Sequence, residues 1–160
     1  MKPRTTMKPA LLLTALLCIL CLCAALYLQI VEEMAPCPLC IIQRYIYALI
    51  AILCLLGAFL PTGVARVAGN LAGLLALGGV GAAGWHIWVK AHPGTTCGVD
   101  PLETPLNQLP TAKLFPALFQ VDGLCTTDYG TTLGLSVPQW SLLGFVLVSI
   151  VLLVALARQR

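Results

Sequence analysis

The sequence predicts an all-α membrane protein, a bundle of four transmembrane helices with a long loop between the third and fourth helices. Apolar residues occupy 59% of the 160 positions and charged residues only 9%, whereas a soluble domain carries about 25% charged residues. A soluble fold of this size has too little interior for so much apolar surface. In addition, four apolar stretches are long enough to cross roughly 30 Å of hydrocarbon at ~1.5 Å per residue.

These stretches predict a single membrane domain over residues 1–160. We expect helices at about 9–31, 40–60, 67–89 and 138–157, loops on one face at 32–39 and 90–137, and a turn on the other face at 61–66. A cleaved signal peptide is the alternative for the first stretch, because basic residues precede it. However, its apolar run exceeds the usual core of about 7–15 residues, and no small-x-small cleavage site follows.

The charge distribution predicts the orientation. Six basic residues lie before the first span, in the short turn or after the last span: Lys2, Arg4, Lys8, Arg66, Arg158 and Arg160. All six acidic residues lie in the other two loops. The positive-inside rule therefore makes both termini cytoplasmic and puts the 32–39 and 90–137 loops on the outer face. The net charge of +3 is too small and too scattered to indicate nucleic-acid binding.

The eight cysteines divide by position. Four fall inside predicted spans, where cysteine usually packs as a small apolar residue: Cys18, Cys21, Cys23 and Cys54. Two of these have C-x-x-C spacing, but desolvation disfavours a thiolate deep in lipid. The other four fall on the outer face and are the candidate catalytic residues: Cys37, Cys40, Cys97 and Cys125.

Cys37 and Cys40 straddle the junction between the short outer loop and the second helix. Pro36 and Pro38 restrict the backbone and disfavour a continuous helix through the pair. The positive end of the helix would stabilise a thiolate at Cys40 or just before it. A C-x-x-C of this kind can cycle between dithiol and disulfide with little rearrangement.

Cys97 and Cys125 are the cysteines of the long loop, with 27 residues between them. A structural disulfide is one interpretation, but the loop has almost no core to staple. A labile, exposed disulfide is the other. A structural zinc site on all four outer cysteines is disfavoured, because such sites usually combine two close pairs and this second pair is widely spaced.

Two ionisable residues lie near the outer ends of predicted spans. Arg44 follows Cys40 by about one helical turn, so both share a helix face. Arg44 would stabilise a negative charge on Cys40 or on an acceptor beside it, with Gln43 as a hydrogen-bond donor; snorkelling to the head groups is the alternative. His86 is a candidate to donate a hydrogen bond or a proton to a reducible carbonyl, and a packed polar residue is the alternative.

Four short motifs are distributed over nearly the whole chain. In order, they are Cys37-Pro-Leu-Cys40-Ile-Ile-Gln43-Arg44; His86 followed by Pro93 and Cys97; Lys113-Leu-Phe-Pro116 leading into Cys125; and Leu133-Gly134-Leu135-Ser-Val-Pro138-Gln139-Trp140. Together with the four-span layout, they resemble the bacterial disulfide bond formation protein B (DsbB) family. The resemblance implies a four-helix bundle in the bacterial inner membrane with a quinone, either ubiquinone or menaquinone, as electron acceptor.

The resemblance also implies a division of labour between the cysteine pairs. Cys97 and Cys125 would oxidise a periplasmic thioredoxin-like dithiol protein of the DsbA type, with Cys97 forming the mixed disulfide. Cys37 and Cys40 would then reoxidise the loop pair and pass two electrons to the quinone, with Cys40 beside the quinone.

Arg44 and His86 match the quinone-site arginine and histidine of this family. One departure concerns the region after the last loop cysteine. Some members have a tryptophan about five residues after that cysteine, where this chain has Tyr129-Gly130. Any contact made by that indole is therefore lost or replaced by Tyr129.

Two other functions stay open at this point. A quinone reductase of the vitamin K epoxide reductase type also has four helices, but its active C-x-x-C follows the loop cysteines, whereas here it precedes them. A non-enzymatic membrane protein with a stapled outer loop is the second alternative. It predicts that Cys37→Ser or Cys97→Ser leaves partner oxidation unchanged.

Overall fold

The part of the chain that the structure describes contains four long helices and three short ones, joined by turns and loops. The computed structural model describes residues 7–92 and 102–158. The long helices are α1 (Lys8–Ile30), α2 (Pro38–Phe59), α3 (Thr62–Ala91) and α7 (Val137–Ala157); the short ones are α4 (Glu103–Gln108), α5 (Pro110–Leu114) and α6 (Pro116–Phe119). All four long helices are long and apolar enough to cross a membrane. The predicted all-α fold with four spans is confirmed.

The long helices form a closed ring in which α2 packs against α1 and α3, and α7 packs against α3 and α1. Large side chains with no exposed surface fill the centre: Leu11, Ile50, Phe145 and Leu152. Many outward-facing leucines are more than half exposed, among them Leu16, Leu20, Leu56, Leu74 and Leu153. In water such a surface would favour aggregation, but in a bilayer it contacts lipid tails.

Small residues let α3 approach its neighbours closely. Its buried face is built largely from alanine and glycine at helical spacing: Ala65, Ala68, Ala72, Ala76, Gly79 and Ala83. A side chain at Gly79 would overlap the ring of Phe145 in α7. Close backbone approach of this kind stabilises helix pairs in lipid, where burial of apolar surface contributes little.

The turn between α2 and α3 is shorter than we predicted. We expected residues 61–66 to lie in the turn, because Pro61-Thr62-Gly63 is typical of one. Instead Pro61 is the N-cap residue (φ −56°, ψ 155°) and α3 begins at Thr62. Proline is well suited to a helix start, since the first N–H groups have no partner within the helix.

The segment before α2 and the segment after α6 dock on each other above one end of the bundle. The backbone N–H groups of Asp122 and Gly123 both donate to the Pro36 carbonyl, at 3.0 and 3.1 Å. Phe119 at the end of α6 stacks on Tyr45 of α2, with ring centroids 4.2 Å apart. These contacts place the segment that follows Gly123 over the start of α2.

Candidate functional site

The C-x-x-C motif forms the start of α2. Cys37 is the N-cap residue with extended backbone (φ −83°, ψ 167°), and Pro38 follows it in the first turn. The Cys37 sulfur accepts a hydrogen bond from the Cys40 backbone N–H at 3.3 Å, and its thiol donates to the Cys40 sulfur at 2.9 Å. Both sulfurs therefore lie at the positive end of the helix dipole, which favours a thiolate there.

Cys125 lies against Cys37, although the two residues belong to different loops. A side chain at Gly123 would fall against the Ala35 carbonyl, so glycine permits the close docking that precedes Cys125. Cys125 is 6% exposed. Its sulfur, the Cys37 sulfur and a ring nitrogen of His86 all lie within 4.8 Å of one another. The structure thus brings together one cysteine from each predicted pair, while Cys97 lies outside the described residues.

His86 connects the cysteines to Gln43. Its Nε2 atom lies 3.6 Å from the Cys37 sulfur, and its Nδ1 atom lies 3.3 Å from the side-chain nitrogen of Gln43. His86 and Gln43 are each only 4% exposed. Because Gln43 contacts one ring nitrogen, it governs which tautomer presents the other nitrogen to the sulfur.

Arg44 lies one turn below Cys40, as its position in the sequence predicts. Its Nη1 atom donates to Gln29 Oε1 at 2.6 Å and to the Leu118 carbonyl at 3.2 Å. Its Nη2 atom donates to the Ala25 carbonyl at 3.2 Å. The guanidinium is buried, and it joins α1, α2 and α6 beside the cysteine pair.

A cavity of about 590 Å³ extends from the cysteines between the long helices. The end at the cysteines is polar and is lined by the predicted site residues Cys37, Cys40, Gln43, Arg44, His86 and Cys125. Apolar residues such as Leu22, Leu28 and Val137 line much of the remaining wall. Tyr129 and Gly130 also contribute to the lining.

The surroundings of Cys37 oppose its ionisation. Hydrogen bonding with the Cys125 side chain is the largest cause, followed by hydrogen bonding with Cys40 and by burial, and together they raise the pKa of the Cys37 thiol above its ordinary value. Cys37 therefore holds its proton in the reduced protein. The negative charge that the helix end favours then falls on the neighbouring sulfur of Cys40, which accepts the Cys37 hydrogen bond.

An ion pair ties the segment after Cys125 to the end of α3. Lys90 Nζ lies 2.9 Å from Asp128 Oδ1, and the Gly130 backbone N–H donates to the same oxygen at 3.1 Å. The hydrogen bond from Lys90 is the main cause that lowers the pKa of the Asp128 carboxyl. Because that carboxylate is exposed, solvent and salt screen the interaction.

Sequence reasoning missed three residues of this region: Gln29, Tyr47 and Lys90. Gln29 accepts the short hydrogen bond from Arg44, and Tyr47 lines the cavity and donates to the Ser141 carbonyl at 2.8 Å. A signal did exist for Gln29 and Lys90. Each is a polar residue near the outer end of a span, where polar groups often have functional partners.

The helix cysteines occupy three kinds of position. Cys18 and Cys54 have no exposed surface and pack in the bundle core, in keeping with their expected role as small apolar residues. Cys23 is exposed on the outside of α1. Cys21 contributes to the cavity wall.

Fold and site together define a multi-pass membrane protein with a cysteine cluster at the polar end of an apolar cavity. Comparison with known proteins agrees with this class. Residues 7–155 match the family described as "Disulfide bond formation protein DsbB", and the chain therefore belongs to the DsbB family. Its chemistry is thiol oxidation at a membrane, the reaction of a protein-disulfide oxidoreductase.

Individual relatives cover almost the same length. A protein of Herminiimonas arsenicoxydans named "Disulfide bond formation protein B" is 54% identical over 153 residues, covering 96% of this chain and 97% of the relative. "Disulfide bond formation protein B 1" of Pseudomonas syringae pv. syringae is 46% identical, covering 96% and 91%. A Burkholderia pseudomallei protein with the first of these names is 44% identical, covering 94% and 89%.

Proposed function

We propose that this protein reoxidises a periplasmic thioredoxin-like dithiol protein of the DsbA type and passes the electrons to a membrane quinone. The observation that carries the proposal is the position of Cys125. It lies beside Cys37, and both line the polar end of a cavity that the long helices enclose together with residues of the two loops. A thiol of the long loop therefore lies beside the thiol pair at the start of α2.

The cysteines transfer two electrons by successive thiol–disulfide exchange. A partner thiolate attacks the Cys97–Cys125 disulfide at Cys97, and the second partner thiol closes the partner's disulfide and leaves the loop pair reduced. Cys125 then attacks Cys37 of the Cys37–Cys40 disulfide and displaces the Cys40 thiolate. Attack by Cys97 on Cys125 restores the loop disulfide and leaves Cys37 and Cys40 as the dithiol.

The cavity suits a quinone ring with an apolar tail. Ligand sites of this kind are mostly apolar with a few convergent polar groups, and here the polar groups lie at the end that carries Cys40. A bound quinone would accept two electrons and two protons from the dithiol and so regenerate the Cys37–Cys40 disulfide. DsbA-type proteins are strong oxidants at about −120 mV, so their reoxidation requires a strongly oxidising terminal acceptor.

Three residues at the polar end of the cavity would take part in quinone binding and reduction. Arg44 stabilises negative charge on Cys40 and on the acceptor through its buried guanidinium, an electrostatic role. His86 holds a proton close to the Cys37 sulfur, and Gln43 orients the imidazole through Nδ1. The preference between ubiquinone and menaquinone would depend on the wall beyond these groups, which includes Tyr47 and Tyr129.

The proposed location is the bacterial inner membrane, with both termini cytoplasmic and the redox cysteines periplasmic. Arg66 at the α2–α3 end of the bundle and Arg158 after α7 lie on the side opposite to the cysteines. Positive charge on this side is typical of a cytoplasmic face. A dithiol partner in the oxidising periplasm would then reach the loop cysteines directly.

The decisive test is anaerobic mixing of the purified protein with a reduced thioredoxin-fold dithiol protein and added quinone. We expect quinol to form in proportion to partner disulfide, and we expect no quinol with Cys37→Ser or Cys97→Ser. Cys23→Ser is the matched control, because it removes a thiol outside the site. Unchanged quinol formation in Cys37→Ser would contradict the proposal.

A further inference from the structure

Three buried side chains with metal-ligating atoms converge from three different elements. Cys37 comes from the start of α2, His86 from α3 and Cys125 from the outer loop, and their exposed fractions are 3, 4 and 6%. Their ligand atoms all lie within 4.8 Å of one another. From this geometry we propose that the reduced protein binds Zn²⁺ through Cys37, His86 and Cys125, and that the bound ion stops its redox cycle.

The distances fit a tetrahedral zinc ion. A zinc ion binds thiolate sulfur at about 2.3 Å and imidazole nitrogen at about 2.0–2.1 Å, so sulfur and nitrogen on one tetrahedral ion lie roughly 3.6 Å apart. The Cys37 sulfur and His86 Nε2 are separated by 3.6 Å. Two sulfurs on one such ion lie roughly 3.8 Å apart. The Cys37 and Cys125 sulfurs lie within 4.8 Å of each other, which is compatible with this spacing.

The second ring nitrogen of His86 is also placed as in metal sites. A metal-ligating histidine nearly always has its other nitrogen held by a neighbouring polar group, which fixes the ring orientation and the tautomer. Gln43 occupies that place at 3.3 Å from Nδ1, and it is buried like His86. The contacting atom of Gln43 is its side-chain nitrogen. Zinc binding at Nε2 therefore requires the Gln43 amide to turn its oxygen towards Nδ1–H, so that the ring proton lies on Nδ1.

This site differs from the structural four-cysteine site that the sequence disfavours. Cys40 is not required, because its sulfur lies 2.9 Å from the Cys37 sulfur, closer than two ligands of one tetrahedral ion. The three ligands all line the cavity, which leaves a fourth coordination position open towards it. Three protein ligands with a fourth position open to water distinguish such a site from a closed, four-coordinate structural zinc site.

Binding would be confined to the reduced protein. Zinc binds thiolates, so coordination by two thiols and a neutral imidazole releases two protons and transfers no electrons. When either cysteine is in a disulfide, its sulfur carries no charge and the ligand set is incomplete. Zinc on Cys37 and Cys125 would block exchange between the two cysteine pairs, and a chelator would reverse the block.

The test uses the full-length protein, reduced and kept anaerobic in detergent, with Co²⁺ as a spectroscopic probe and Zn²⁺ in competition with a chromophoric chelator. We expect one ion per chain, thiolate-to-cobalt charge transfer and the intense visible bands of tetrahedral cobalt. His86→Ala, Cys37→Ser and Cys125→Ser should each weaken zinc binding about tenfold or more. Gln43→Ala should weaken it by about tenfold, the lower end of the range for a group that orients a ligand, and by less than the loss of a ligand does.

Two controls separate this site from a simple dithiol. Cys23→Ser should bind as the unaltered protein does, and Cys40→Ser should keep the tetrahedral cobalt spectrum. Loss of binding in Cys40→Ser together with normal binding in His86→Ala would assign the ion to the C-x-x-C pair and overturn the proposal.

A measurement on the unaltered protein guards against variants that fail to fold. Saturating Zn²⁺ should protect Cys125 from alkylation, mapped by mass spectrometry, and should leave the rate at Cys23 unchanged. Equal alkylation of Cys125 with and without zinc would overturn the proposal. Binding needs neither the partner nor the quinone, so this result stands apart from the outcome of the quinol experiment.

Discussion

The Cys37 sulfur lies 3.6 Å from His86 Nε2, although the two residues are 49 positions apart, one at the N-cap of α2 and the other in α3. This relationship joins the redox pair to an ionisable group that lines the same cavity. A thiol, an imidazole and a space for an acceptor are the components that coupled electron and proton transfer requires.

His86→Ala should slow quinol formation by roughly 100-fold, the effect expected when a positioned acid or base is lost. His92→Ala is the matched control, because His92 is exposed at the end of the same helix, and we expect a change of less than about twofold. The measurement is the rate of quinone reduction by the pre-reduced protein. Equal rates for the two variants would show that His86 has no role in quinone reduction.

Arg44→Ala should raise the apparent KM for quinone by roughly tenfold or more, the size expected for a lost hydrogen bond to a charged group. Thiol exchange with the partner should change less, since it takes place at the outer face. Arg44→Lys should not restore affinity, because one ammonium cannot replace the guanidinium that reaches Gln29 and three backbone carbonyls. Unchanged quinone kinetics in Arg44→Ala would contradict this role.

Cys37 in the reduced protein should react with iodoacetamide only at a pH above 9.0, the ordinary pKa of the group. Its raised pKa means that the folded protein keeps a proton that the unfolded chain releases. The stability linked to this proton is therefore complete below about pH 9 and declines as the pH rises further. Alkylation of Cys37 can be followed by mass spectrometry against pH, with the unfolded protein as reference. Equal rates at pH ~8 in both forms would contradict the prediction.

The sequence was sufficient for the four spans and for the C-x-x-C at a helix start, because each depends on local features. Apolar runs of membrane length specify the helices, and Pro38 beside Cys37 favours a helix start there. The predicted length of the α2–α3 turn was wrong, because Pro61 and Gly63 are typical both of a turn and of a helix start. The residue pattern does not distinguish these cases.

The contacts of the site were beyond sequence reasoning for a physical reason. Cys125 reaches Cys37 because two backbone N–H groups bind the Pro36 carbonyl, and backbone groups are the same in every residue. The pairing of Gln43 with His86 depends on how α2 and α3 are rotated against each other. The partners of Arg44 include main-chain carbonyls of α1 and α6. Every residue has such a carbonyl, so the residue types do not indicate which of them bind Arg44.

Gly123→Ala should move Cys125 away from Cys37. A methyl group at this position would fall against the Ala35 carbonyl, so the two loops must separate for the alanine to fit. In a background with Cys40→Ser and Cys97→Ser, mild oxidation should join Cys37 to Cys125, and Gly123→Ala should slow this reaction about tenfold. Gly63→Ala is the control, because a side chain there meets open space. Equal oxidation rates in the two variants would show that the loop contact at Gly123 does not position Cys125.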